Sequence, residues 1–252
     1  MATDGGAVLR RLPAAHARPG LVGVLALLLA GIADGAPATS ADAFAVAREQ
    51  MVRRQIVARG VRDARVLAAL REVPRHRFVP SREERYAYED RPLPIGDGQT
   101  ISQPYIVALM TELARPAITD RVLEVGTGSG YQAAVLARLV SHVYTIELVT
   151  SLARAAAARL RELGYQNVTV QAGDGYLGWP EHAPFDIIMV TAAPDHVPSP
   201  LLEQLARGGR MIVPVGPAAA VQQLLVIEKD AAGELRTRAV TPVRFVPLLR
   251  PR

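Results

Sequence analysis

The chain of 252 residues contains no cysteine. Disulfide staples, thiolate zinc sites, iron–sulfur clusters and any mechanism that needs a sulfur nucleophile are therefore excluded. It is almost as poor in lysine: of 29 basic residues, all but Lys229 are arginine. The formal net charge of +5 invites a nucleic-acid partner. The arginines, however, are spread along an alanine-rich chain rather than clustered, which reads as a coding bias and a solvated surface. The apolar run from Leu21 to Ile32 is too short to cross a bilayer. It suits the core of a secretory signal, with Arg10, Arg11 and Arg18 ahead of it and small residues at Ala36-Pro37-Ala38 and Ala41-Asp42-Ala43 behind. Residues 1–43 thus read as a signal-like or disordered extension, with Met51 as an alternative start. Residues 44–252 read as one domain.

Hydrophobic residues make up 50% of the chain and charged residues 21%, which fits a globular fold with a proper core. Helical spacing marks Ala43 to Arg59 and Asp63 to Val73. Pro74 to Pro104, with five prolines and Gly96-Asp97-Gly98, reads as a long ordered loop, and loops of that length usually serve a function. Beyond it the pattern becomes regular. Short apolar strands at Arg121–Val125, Val143–Glu147, Val168–Ala172, Phe185–Val190 and Met211–Val215 alternate with helical segments. This predicts an α/β class fold, a doubly wound, mostly parallel sheet with helices on both faces. Val221–Glu228 and Leu235–Phe245, joined by a turn at Lys229 to Gly233, predict an antiparallel C-terminal edge hairpin.

The strongest local signal is Glu124-Val125-Gly126-Thr127-Gly128-Ser129-Gly130-Tyr131, a strand running through three glycines into a helix. Glycines there let a ligand lie against main-chain N–H groups. A dinucleotide fingerprint would read G-x-G-x-x-G, but here position 131 is tyrosine, and Glu124 would be a poor neighbour for a pyrophosphate. An acid at that position suits a ligand with an amino group or a sulfonium, which favours S-adenosylmethionine over NAD. Glu147 ends the second of these strands, where a carboxylate can accept from both ribose hydroxyls. Asp174, within Gly173-Asp174-Gly175, stands at the end of the third. Three acids at successive strand ends share the carboxyl edge of the sheet, where such folds bind ligands.

These motifs, together with Gly96-Asp97-Gly98-Gln99-Thr100-Ile101-Ser102-Gln103-Pro104, Phe185 to Ala193 and Val243-Arg244-Phe245-Val246-Pro247-Leu248, resemble the protein-L-isoaspartate O-methyltransferase family. The resemblance runs from about Met51 to Leu248 and implies a methyltransferase-type Rossmann-like fold with S-adenosylmethionine as cofactor. It implies transfer of a methyl group to the free carboxylate of isoaspartyl residues in damaged proteins, the first step of their repair. Glu124, Gly126 and Gly128 would line the methionine moiety, Glu147 would hold the ribose and Asp174 the adenine end, with Thr127 and Gly175 also binding the cofactor. Ser102 and Thr100 would border the transfer site as its catalytic residues, Gln103-Pro104 would shape the same wall, and Thr191 with Ala192 would form part of a peptide groove. No metal is implied.

An isoaspartyl carboxylate, which ordinarily titrates at about 3.5, is already ionised at neutral pH and needs no general base. The scattered His76, His142, His182 and His196 are accordingly given no catalytic role. A nucleic-acid methyltransferase of the amino-methylating kind would carry an Asn/Asp-Pro-Pro-aromatic string where this chain reads Thr191-Ala192-Ala193-Pro194. An RNA or a small acid remains the alternative substrate, and a binding module without catalysis the alternative of another class. The partners expected are damaged proteins or peptides, with no nucleic acid, no stable membrane association and a monomeric state. Need of the cofactor favours the cytoplasm; a cleaved segment of 38 or 43 residues would instead send the domain to the periplasm or outside.

Overall fold

The computed structural model describes residues 40–218 and 220–251. The leader-like segment therefore lies outside the described residues up to position 39. Helix α1 spans Ser40–Met51 and so begins ahead of residue 44, where the sequence placed the domain's start. It runs on through one π-helical turn at Val52–Ile56 and a 3-10 turn at Val57–Arg59. Gly60, at φ +99°, ends it with a left-handed residue that a side chain would disfavour. Helix α2 (Ala64–Glu72) starts at Asp63, whose carboxylate accepts from the N–H groups of Arg65 and Val66.

Pro74 to Pro104 is not a plain loop. It is built from two 3-10 segments, Arg75–Phe78 and Ser81–Tyr86, and a two-stranded antiparallel hairpin, β1 (Leu93–Gly96) and β2 (Gln99–Ile101). The prolines mask these short elements because they break periodicity without preventing 3-10 turns or edge strands. Asp97, at the hairpin tip with φ +50°, accepts a hydrogen bond from Ser151 Oγ at 2.9 Å, so the tip is moored to the main domain.

The main sheet has seven strands in the order β5-β4-β3-β6-β7-β8-β9. They are β3 (Arg121–Val125), β4 (His142–Glu147), β5 (Val168–Ala172), β6 (Phe185–Val190), β7 (Leu205–Val215), β8 (Gln222–Lys229) and β9 (Leu235–Val243). The first five are parallel to their neighbours, and β8 and β9 add the expected antiparallel edge. Helices α3 (Pro104–Ala114), α4 (Tyr131–Ala137), α5 (Thr150–Glu162) and α6 (Ser199–Gln204) connect them. Strand β7 starts at Leu205 rather than Met211, because the Gly208-Gly209 pair that reads as a break is absorbed by an irregular register against β6.

Alternation along β3 divides its residues between two cores. Leu123 and Val125 join Ile188, Val190, Leu201 and Met211 on one face of the sheet. Val122 packs on the other face with Val107, Tyr131, Leu136 and Ile187. Glu124, two residues along from Val122, shares that second face and is fully buried. Leu123 also has no exposed surface. Leu123→Ala is expected to cost about 2–5 kcal/mol of unfolding free energy, read from urea denaturation; a loss under about 1 kcal/mol would show that β3 is not a packed central strand.

Candidate active site

The loop after β3 turns through Gly126, Gly128 and Gly130, all at positive φ. The N–H of Gly126 donates to the Ile146 carbonyl at 2.8 Å, and the N–H of Gly128 donates to Glu147 Oε2 at 2.8 Å. Glu147 Oε1 accepts from the N–H of Val149 at 2.9 Å. Each of its oxygens keeps lone pairs for a ligand hydroxyl, and the carboxylate lines the cleft above the sheet. A Cβ on Gly126 would stand 2.6 Å from Thr191 Oγ1, and one on Gly175 would stand 2.4 Å from Val125 Cγ1. At these two positions a side chain would crowd the walls of the cleft, so glycine is required.

The cleft is lined by Gly126, Thr127, Gly128, Glu147, Gly175, Thr100 and Ser102. A second, open cavity adjoins it, lined by Arg59, Tyr105, Val221, Pro242, Arg244 and Phe245 among others. Thr100, Ser102, Thr191 and Val246 line both. The two chambers thus meet at two hydroxyls from β2 and the turn after it. Among the described residues neither the Thr100 nor the Ser102 hydroxyl is engaged by a protein partner. Thr191 is different: its Oγ1 donates to the backbone carbonyls of Val125 and Gly126, so it holds the walls together. Gln103 lines the second cavity, and its amide donates to the Asp90 carbonyl.

One expected contact needs correction. Glu124 does not line the cleft. Its Oε2 accepts from Thr145 Oγ1, whose oxygen lies 2.6 Å from Thr127 Oγ1, while Oε1 is buried without a partner. The alternation of β3 turns this side chain into the helix-packed layer beneath the glycine loop, so it supports the loop from below. Burial pushes its pKa up to about 8, with the Glu147 charge adding to the rise and the Thr145 hydroxyl opposing it. Asp174 caps its own turn, its Oδ1 accepting from the Tyr176 N–H at 2.9 Å. Its neighbour Gly175 is the residue of that turn that faces the cleft.

Sequence reasoning gave no role to the roof. The segment after β9 crosses the carboxyl end of β6, with the Ala193 N–H donating to the Val246 carbonyl and the Leu248 N–H to the Ala193 carbonyl, both at 2.8 Å. It brings Val246, Pro247, Leu248 and Leu249 over the cleft. Tyr131 and Gln132 at the start of α4 also line it. The apolar string after the last strand was the available signal for the roof.

A glycine-walled cleft at the carboxyl edge, with an acid at the end of β4, defines the S-adenosylmethionine-dependent methyltransferase fold. The family model described as protein-L-isoaspartate(D-aspartate) O-methyltransferase matches residues 46–251. The chain is 55% identical over 231 residues to protein-L-isoaspartate O-methyltransferase 2 of Syntrophobacter fumaroxidans, covering 88% of this chain and 94% of that one. It is likewise 55% identical over 227 residues to the protein-L-isoaspartate O-methyltransferase of Opitutus terrae, covering 90% and 96%. A solved protein-L-isoaspartate O-methyltransferase superposes with a TM-score of 0.71 at 34% identity; the match covers 79% of this chain and 65% of that one. A Plasmodium falciparum chain of the same designation, solved with S-adenosyl-L-homocysteine, shares the fold at a TM-score of 0.70 and 24% identity. The chain belongs to the protein-L-isoaspartate(D-aspartate) O-methyltransferase family.

The site generates two expectations. Gly126→Ala is expected to weaken S-adenosylmethionine binding by at least about tenfold in calorimetry, because the new methyl collides with Thr191 Oγ1 and a left-handed φ is lost to a side chain. Unaltered affinity would remove the glycine loop from the binding site. The second concerns pH. A buried acid with a raised folded pKa stabilises the protein fully below its unfolded value near 4.5, and that contribution is lost as pH rises through about 8. The unliganded protein is therefore expected to melt at progressively lower temperature between pH 5 and pH 9, a loss of a few kcal/mol at most. Glu124→Gln should flatten that slope, and an identical slope in the variant would assign it to other groups.

Proposed function

We propose that this chain methylates the free carboxylate of isoaspartyl residues in damaged proteins, with S-adenosylmethionine as methyl donor. The observation that carries the reading is the junction of the two chambers at Thr100 and Ser102. One chamber has the backbone walls and the carboxylate that a nucleoside needs. The other is an open groove with apolar walls of Val221, Pro242 and Phe245. Its charged lining residues are Arg59, paired with Asp90 at 2.7 Å, and Arg244, whose guanidinium suits an anionic acceptor.

The cofactor fits the cleft on the chemistry of its donors. Glu147 would hold the ribose hydroxyls, Gly126, Thr127 and Gly128 the methionine portion, and Gly175 the adenine end. When bound, it supplies an electrophilic methyl group on a sulfonium. The chain's residues then have little chemistry left to do. The acceptor carboxylate arrives ionised, so no residue has to remove a proton. Ser102 Oγ and Thr100 Oγ1 donate hydrogen bonds that aim the carboxylate into the cleft. The roof of Val246 to Leu249 and the β1–β2 hairpin exclude water, which would otherwise solvate the carboxylate and hold back its attack. Both chambers are lined by residues of one chain, so a single copy holds every group this reading needs. Among the described residues no helix is long and apolar enough to cross a membrane. We assign the activity to the cytoplasm, where the cofactor is made.

The test is methyl-labelled S-adenosylmethionine with two peptides that differ only by isoaspartyl or aspartyl at one position. Base-labile label is expected on the isoaspartyl peptide alone; label on neither, with cofactor bound, would redirect the reading to RNA or a small acid. Ser102→Ala is expected to lower turnover at least about tenfold with cofactor affinity nearly unchanged. An unchanged rate would take Ser102 out of the mechanism.

A further inference from the structure

Arg75 is the largest side chain with no exposed surface, and the proposed reaction gives it nothing to do. A buried cation ordinarily pairs with a carboxylate. This one does not. Its Nε donates to the Ala87 carbonyl at 2.7 Å and its Nη2 to the Ser102 carbonyl at 2.8 Å. Its guanidinium carbon lies 4.8 Å from the centroid of the Tyr131 ring, itself buried and part of the cleft wall. Among the described residues Nη1 and the Tyr131 hydroxyl make no hydrogen bond of good geometry, although the hydroxyl lies close enough to support the guanidinium charge. Burial lowers the pKa of Arg75 to about 10, so it is still a cation at neutral pH.

The two carbonyls are the ends of one segment. Between Ala87 and Ser102 lies the β1–β2 hairpin that carries Thr100, and Ser102 follows directly on its second strand. The same edge of one guanidinium therefore ties the beginning and the end of this segment together, and its face rests on the ring that lines the cofactor cleft. Nε and Nη2 sit in a rigid planar fork, so the two bonds fix direction as well as distance.

We propose that Arg75 is a positioning residue for methyl transfer, a buried staple that sets the place of Ser102 relative to the cofactor cleft. It touches neither ligand and acts through the Ser102 main chain. The inference rests on the role proposed for Ser102, and the two can fail separately.

The experiment is a double-mutant cycle on the full chain, with S-adenosylmethionine and an isoaspartyl peptide. It uses Arg75→Lys, which keeps charge but loses the fork, Arg75→Gln, Ser102→Ala and the two double variants. Cofactor affinity and melting temperature are measured alongside kcat and KM. The Arg75 variants are expected to bind S-adenosylmethionine within about threefold of the parent while kcat falls about tenfold or more. In the Ser102→Ala background the same substitutions should cost at least about threefold less than in the parent, because the nearer of the two hydroxyls they would misplace is gone and only Thr100 remains. An equal loss in both backgrounds would overturn the proposal and leave Arg75 as a general core residue. So would a loss of turnover explained by weaker cofactor binding, or unfolding of both variants, which would make the guanidinium a requirement of the fold itself. A Ser102→Ala protein as active as the parent would overturn both Ser102's role and the staple, while labelling of the isoaspartyl peptide by the parent would still stand.

Discussion

Everything in the site depends on the reversal of strand order at β3. Strand β4 pairs with one side of it and β6 with the other, so the connections leaving β3 and β6 diverge and open a crevice at the carboxyl edge. The glycine loop enters this crevice because it follows β3. Glu147 reaches it from β4, Gly175 from the turn after β5, and Thr191 from the end of β6. No single motif makes the cleft; the crossover collects four strand ends around one point, and each contributes a wall.

That arrangement requires polar groups in a layer that is otherwise apolar. The Glu124 carboxyl, the Thr145 and Thr127 hydroxyls and the main-chain bonds of the glycine loop form a buried polar seam between sheet and helices. Such a seam is costly where a group is left unpaired, and Glu124 Oε1 is one such group. The cost falls directly under the loop that binds the cofactor, where preorganised geometry matters most. Arg75 repeats the pattern on the acceptor side: a buried polar group spends stability to hold a reacting surface in place.

Much of this was legible in the sequence because the parallel strands are nearly continuous apolar runs. Strands at Arg121–Val125, Val168–Ala172 and Phe185–Val190 fall where hydrophobicity puts them. Legibility failed where residue type and direction part company. Glu124 looks like a ligand contact from its distance to Gly126, yet period-two alternation with Val122 turns it inward. The short elements between Pro74 and Pro104 were hidden because 3-10 turns and three-residue strands carry no periodicity. Arg75 was hidden for a related reason: nothing in its neighbours Pro74 and His76 announces that a charged side chain will be enclosed.

The central claim is that nucleoside and peptide occupy two chambers that meet at Ser102. A crystal structure of the ternary complex with S-adenosyl-L-homocysteine and an isoaspartyl peptide tests it most directly. The account predicts ribose hydroxyls on Glu147, the peptide along the groove of Tyr105, Pro242 and Phe245, and its free carboxylate within hydrogen-bond reach of the Ser102 hydroxyl. A carboxylate bound elsewhere, or a nucleoside that leaves Glu147 untouched, would contradict it.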